Sequence, residues 1–420
     1  MKLKIFKPII FLMALLALGG QVLAQDTSTI SGTDSKSVKS IKILNLKLDV
    51  NVKPIEIAMD NLNVSLNSGL KNLNQNLSII GPVISTNVNN IVSNIHVDVN
   101  DDDLNVTVDN GGIQEKVKNY SKSYSVDAND KLEISNKYGS VVVNTWNKNE
   151  VKVDVQIKGI ARDDETAQKL VDAISISDSK NGNVVSFKTN FGGSNGNNSI
   201  WDLFNDRNDH HKAEVNYTIY MPSKNALAID NRYGATQLPD FEGKVEINSA
   251  YGSFSAKALT HAGNEIKVKY GSASIESLGS GSLDVGYGSL ELGSVDKLNA
   301  DISYSSVRIG KIRNSANIDA RYAGGVQIDD LDRNFTSFSV NASYSSIKVN
   351  LNNSTNADFD VTVHYSGFDY GGVPVEITQK DPPDSARGFH STQNYKGHIG
   401  KGDGGRMISI HSTYGGVKFE

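Results

Sequence analysis

Three aspartates, Asp284, Asp301 and Asp319, lie 17 and 18 residues apart, each three positions ahead of a tyrosine. Lys267 precedes the series and Asn341 follows it at the same place relative to a tyrosine. If the chain stacks repeat upon repeat, these side chains form an outward column with carboxylates ~5 Å apart, the spacing of neighbouring strands. Like charges that close repel unless they splay into water or share a cation. A hard ion suits an all-oxygen site, so the column is a candidate for weak Ca²⁺ binding, set against a plain solvated acidic face. No other cofactor is implied.

The remaining reactive side chains are dispersed. Histidines stand at 96, 210, 211, 261, 364, 390, 398 and 411. His210 and His211 neighbour Asp206 and Asp209, but adjacent side chains in a polar loop rarely converge on one ion. Cysteine is absent, which removes disulfides, thiolate metal sites, a cysteine nucleophile and a lipidated N-terminal cysteine. Gly279-Ser-Gly281 and the run Gly402 to Gly405 join β segments and precede no helix, so they read as turns and not as phosphate cradles. No acid and base are paired by the sequence, no catalytic residue is assigned, and the chain is not expected to be an enzyme. Trp201 with Leu203 and Phe204 sits in a polar loop and is a candidate exposed contact, or a lid that docks back.

The elements that would position these groups are set by a repeat. Tyrosines followed by two small residues occur at Tyr138, Tyr233, Tyr251, Tyr270, Tyr287, Tyr304, Tyr322, Tyr344, Tyr365 and Tyr414. From Tyr233 to Tyr365 the intervals are 18, 19, 17, 17, 18, 22 and 21 residues. Before Tyr287, Leu283 and Val285 lie at even offsets; after it, Leu290 and Leu292 lie at three and five. Strand side chains alternate with period two, so this switch of phase would send the second half outward unless the chain bends. The small pair after each tyrosine is the expected bend.

Each repeat then supplies two short strands with both apolar faces inward. Repeats stack as a single-stranded, β-helix-like β-solenoid with coils of 17 to 22 residues. The tyrosines share the parity of inward residues, which favours a stacked structural ladder over exposed rings that would bind sugars. Glu291 and Arg308, each four residues past its tyrosine, are expected to pair across the stack.

The repeat runs over 121–420 with two kinds of interruption. Asp163 to Ile174 has acidic residues at its start and Leu170, Val171 and Ile174 on one side, so it is expected to be an inserted helix ending near 175. Residues 191–212 and 371–406 are expected to be loops. The segment 25–120 is a separate, partly flexible region. It carries a strand over Ile41 to Val52, an amphipathic helix over Leu62 to Leu77, and alternation on either side of Asp101-Asp102-Asp103. Residues 1–24 read as a signal peptide: Lys2, Lys4 and Lys7, a ten-residue apolar run from Ile9 to Leu18, then Val22-Leu23-Ala24. A helical span needs ~20 apolar residues, twice that run.

Formal charge is −5 for the whole chain, hence −8 without those three lysines. A mildly acidic chain of mixed sign argues against nucleic acid or an anionic membrane as partner.

The stretch Leu132-Glu-Ile-Ser-Asn-Lys-Tyr-Gly-Ser-Val-Val-Val-Asn-Thr-Trp146 resembles the opening repeat of the bacterial putative-adhesin β-repeat family, a domain of otherwise unknown function. Ile229-Asp-Asn-Arg-Tyr-Gly-Ala235 and Ile408-Ser-Ile-His-Ser-Thr-Tyr-Gly-Gly-Val-Lys-Phe419 are similar to its later repeats, so the resemblance covers about residues 118–420. It implies a periplasmic or surface protein with adhesion or envelope-stress roles, and it supplies no catalytic residues. The expectation is a non-enzymatic, exported adhesin or scaffold for an envelope protein or glycan. The alternatives are a polysaccharide-acting enzyme on a β-helix and a structural spacer.

Overall fold

A computed structural model describes residues 95–100, 103–108, 113–192, 211–352, 354–402 and 405–420. The segments 1–24, 41–52 and 62–77, with their expected signal peptide, strand and helix, lie outside the described residues. So do Trp201 and Phe204. The chain divides into two units, 1–108 and 109–420. In the first, strands β1 (Ile95–Asn100) and β2 (Asp103–Val108) pair antiparallel, the alternation expected on either side of the aspartate turn.

The second unit is one open, mixed β-sheet with a single helix among the described residues. It opens with β3 (Gln114–Ser125), β4 (Lys131–Lys137), β5 (Val141–Thr145) and β6 (Glu150–Ala161). Helix α1 (Asp164–Asp172) follows, then β7 (Ile174–Asn181), β8 (Val184–Phe191) and β9 (Lys212–Met221). β3 pairs antiparallel with β6, so the sheet takes in residues from Gln114, ahead of Ser121 where the repeat becomes readable.

The helix forms where its signals stand. The Asp163 carboxylate accepts from the Thr166 amide at 2.8 Å, satisfying one of the free N–H groups of the first turn. Ala167, Leu170 and Val171 are buried. The helix lies on β6 at Gly159, where a Cβ would stand 2.3 Å from the Ala167 carbonyl oxygen; only glycine permits that approach.

β6 pairs antiparallel with β9 and β7 with β8, whereas the tyrosine repeats pair with one another in parallel. β4 is flanked by β8 and by Ala226–Arg232, and each later repeat as far as 337–349 pairs with the one before it. The segment 272–286 meets 289–303, which meets 306–321, so that Leu283, Ala300 and Ile318 become neighbours. The buried column Ile229, Ile247, Ile266, Leu283, Ala300, Ile318, Val340 and Ile410 follows one register throughout. Each is at most 5 % exposed, and burying one large aliphatic side chain contributes ~1.5–3 kcal/mol.

Two expectations are corrected here. The stretch 371–406 is not a loop: Val375–Asp381 and Thr392–Ile399 form an antiparallel hairpin, and the second of these strands also pairs antiparallel with Ala357–His364. Spatial order also departs from chain order. Met407–Thr413 runs parallel to Ser337–Ser343 on one side and to Ala357–His364 on the other, so the last repeat of the sequence is inserted between its two predecessors.

Candidate functional site

The bend of each repeat lies at the tyrosine itself and not in the small pair after it. All ten repeat tyrosines have left-handed backbone, with φ between 50° and 62°. An L-residue there costs roughly 1–2 kcal/mol. The reversal corrects the parity expectation as well: it turns the ring outward, leaves the first small residue facing the core, and returns the third to the interior. Ser305 and Ser345, first after their tyrosines, are buried. The Ser305 hydroxyl accepts from the Gly288 amide and donates to the Ser303 carbonyl, at 3.0 and 2.8 Å.

The rings form the ladder that the sequence suggested. Successive centroids are 4.7–5.2 Å apart and ring planes agree within 15° from Tyr138 through Tyr344 to Tyr414 and then Tyr365. Each aromatic pair adds ~0.5–1.5 kcal/mol beyond area burial, and an interior ring has two partners, which offsets the cost of its backbone. The ladder ends on two phenylalanines. Phe191 meets Tyr138 edge-on at 5.5 Å, and Phe389 lies 6.4 Å from Tyr365. Neither end was legible in the sequence, because both phenylalanines fall in or beside stretches read as loops.

The aspartates meet as expected. Lys267, Asp284, Asp301, Asp319 and Asn341 occupy one outward column in successive register. Asp284 is engaged by lysine: Lys269 reaches its carboxylate, and the Lys267 ammonium lies 3.5 Å away. No group of three or more His, Asp or Glu in metal-holding arrangement occurs among the described residues. The Glu291–Arg308 expectation is half right. The two are register neighbours, but the Arg308 guanidinium donates to Asp329 at 2.8 Å.

Lys267, Asp284 and Asp301 of this column line an open groove of about 920 Å³, together with Glu133, Glu246 and, from the β7–β8 hairpin, Asp178. Its glutamates are bridged. The Lys131 ammonium contacts Glu133 and Glu246 at 3.2 and 2.8 Å, and the Lys244 ammonium contacts Glu246 and Glu265 at 2.9 and 2.7 Å. Hydrogen bonds from these two lysines hold the Glu246 carboxyl below its ordinary range.

Sequence reading missed the anchor of the hairpin. The hydroxyls of Tyr120 and Tyr124 on β3 both donate to the Asp178 carboxylate on β7. These bonds lower the Asp178 pKa. The same contact, with burial second, pushes Tyr124 up to about 12, while Tyr120 is raised chiefly by burial.

No family model and no curated protein matches the chain. Solved structures do. A putative cell adhesion protein from Clostridium sporogenes is 11 % identical, with 72 % of this chain and 99 % of that chain covered and a TM-score of 0.19. A putative adhesin from Bacteroides fragilis is 12 % identical over 72 % and 97 %, with a TM-score of 0.32. Another putative adhesin, from Parabacteroides distasonis, is 12 % identical over the same shares, with a TM-score of 0.27. The names agree with the resemblance drawn from the tyrosine repeats. At these scores the likeness carries no weight for function, which has to be read from this chain's own residues.

Proposed function

We propose that this chain is an exported, non-enzymatic adhesin or scaffold of the bacterial envelope, wound as a β-solenoid that presents long regular faces to a partner. The observation that carries the reading is the shared register of the outward columns that lead into the tyrosines. Positions that share a column repeat at strand spacing over ten tyrosine-marked levels, which suits a long, repetitive or extended partner. Among the described residues no helix is long and apolar enough to cross a membrane; export itself rests on residues 1–24.

The non-enzymatic part is supported by the carboxylates. A general acid needs a raised pKa. Two carboxylates of the groove, Asp178 and Glu246, are shifted downward, the first by tyrosine hydroxyls and the second by lysines. Ca²⁺ enters only as a loose counter-ion of Asp301 and Asp319; equal calorimetric heats from wild type and Asp301→Asn would dispose of it.

Cell fractionation combined with a glycan array and an envelope pull-down tests the reading. The expected outcome is an envelope or extracellular protein that retains a glycan or envelope protein and leaves a broad panel of polysaccharides uncleaved. Retention in the cytoplasm, or cleavage of any polysaccharide, overturns it.

A further inference from the structure

Nine rings of the tyrosine ladder are each 48–51 % exposed. They stand beside a column with no side chain larger than serine: Ser253, Ser272, Ser289, Ser306, Gly325 and Ser346 occupy successive levels there. The rings therefore project as a continuous ridge beside a strip of small side chains, and no charged residue interrupts either column over these levels. A tyrosine side chain presents ~150–250 Å² of surface, so nine half-exposed rings offer roughly 700–1,100 Å² on one face. A specific interface takes ~800 Å² from each partner. With its hydroxyls included, the ridge meets the area that one partner contributes.

We propose that this ridge is the interface for a second copy of the same chain. A partner that covers it evenly must repeat at the ladder's own 4.7–5.2 Å. Another copy has that period by construction, so a two-fold pairing brings every level against a level. Stacking occupies the ring faces, so ring edges and hydroxyls would meet across the axis, the apolar body supplying burial and the hydroxyls exchanging hydrogen bonds. Phe191 meets the ring at one end edge-on and Phe389 stands 6.4 Å from the ring at the other, while the flank between them is open. This pairing does not rest on the partner proposed above, because it is argued from the tyrosine ridge alone.

Sedimentation of the purified full chain over a range of concentrations tests it. Wild type should run at twice the mass of one chain. S289R/S306R, which sets two bulky cations in the strip of small side chains and leaves every ring in place, should weaken association at least ten-fold with an unchanged circular dichroism spectrum and Tm. A wild type that stays at single-chain mass overturns the proposal, as does a dimer that persists in S289R/S306R. A monomeric wild type whose glycan-array signal vanishes in that variant would assign the ridge to a saccharide and equally overturn it. Should the variant fail to fold, light-driven tyrosine cross-linking of wild type decides: inter-chain links mapping to the ladder support the pairing, and links mapping only elsewhere refute it.

Discussion

Tyr344 stacks on Tyr414, seventy residues further along the chain, at 4.8 Å between ring centroids, while Tyr365 packs on the far side of Tyr414 at 5.1 Å. The repeat over 407–419 is thus held by two neighbours of its own kind, and among the described residues the strands of the repeat over 357–369 pair with the other repeats only through it.

Ile410 should accordingly report on both neighbours. It is 1 % exposed between Val340 and Val361, and Ile410→Ala is expected to cost ~2–5 kcal/mol. Urea titration should show the loss, and limited proteolysis should cut first within 357–406.

The tyrosine backbone predicts an order among substitutions at Tyr287. Tyr287→Val loses the ring and puts a β-branched residue at φ 57°, where such residues are outliers. Tyr287→Gly loses the same stacking and relieves ~1–2 kcal/mol of backbone cost. Thermal unfolding should therefore rank wild type above glycine and glycine above valine; a valine variant as stable as the glycine one would contradict this ranking.

Adding one methyl group at the corner should be felt through the neighbouring level. A Cβ on Gly288 would stand 1.8 Å from the Gly271 carbonyl oxygen, whereas one on Gly367 meets nothing within 4 Å. Gly288→Ala is expected to destabilise by at least ~1–3 kcal/mol through forced backbone movement. Gly367→Ala should stay within about 0.5 kcal/mol of wild type. Paired melting curves give the comparison.

The Asp178 anchor predicts two pH limits. Its carboxyl is depressed in the folded state, so the stability it contributes is complete above the unfolded carboxylate range and is lost as pH falls through the folded pKa. Tyr124 is raised to about 12, so its contribution is complete below the ordinary tyrosine value and is lost as pH climbs from ~10 toward that figure. Asp178→Asn should flatten the acid limb, and Tyr124→Phe should reduce the alkaline one. Hydrogen exchange in β7 and β8 across both ranges would check it.

Much of this was legible because strand periodicity and register are properties of spacing. The phase switch around each tyrosine implied a corner, the intervals placed Asp284, Asp301 and Asp319 in one column, and Asp163 marked the start of α1. What stayed hidden depends on competition between states. Tyrosine is no left-handed former, so its positive φ shows only once the ring stack exists to offset it. The hairpin of 375–399 lies among Gly, Pro and polar residues that mimic a loop. Arg308 could reach either Glu291 or Asp329, and only coordinates choose between them.

The inserted repeat also dictates a schedule for assembly. During synthesis, residues 357–369 emerge well before the strand that must lie between them and the rest of the sheet, so they wait with an unsatisfied edge until 407–419 has been made. The repeat over 357–369 can therefore take its place in the stack only once 407–419 is present, so pairing at this end does not follow chain order.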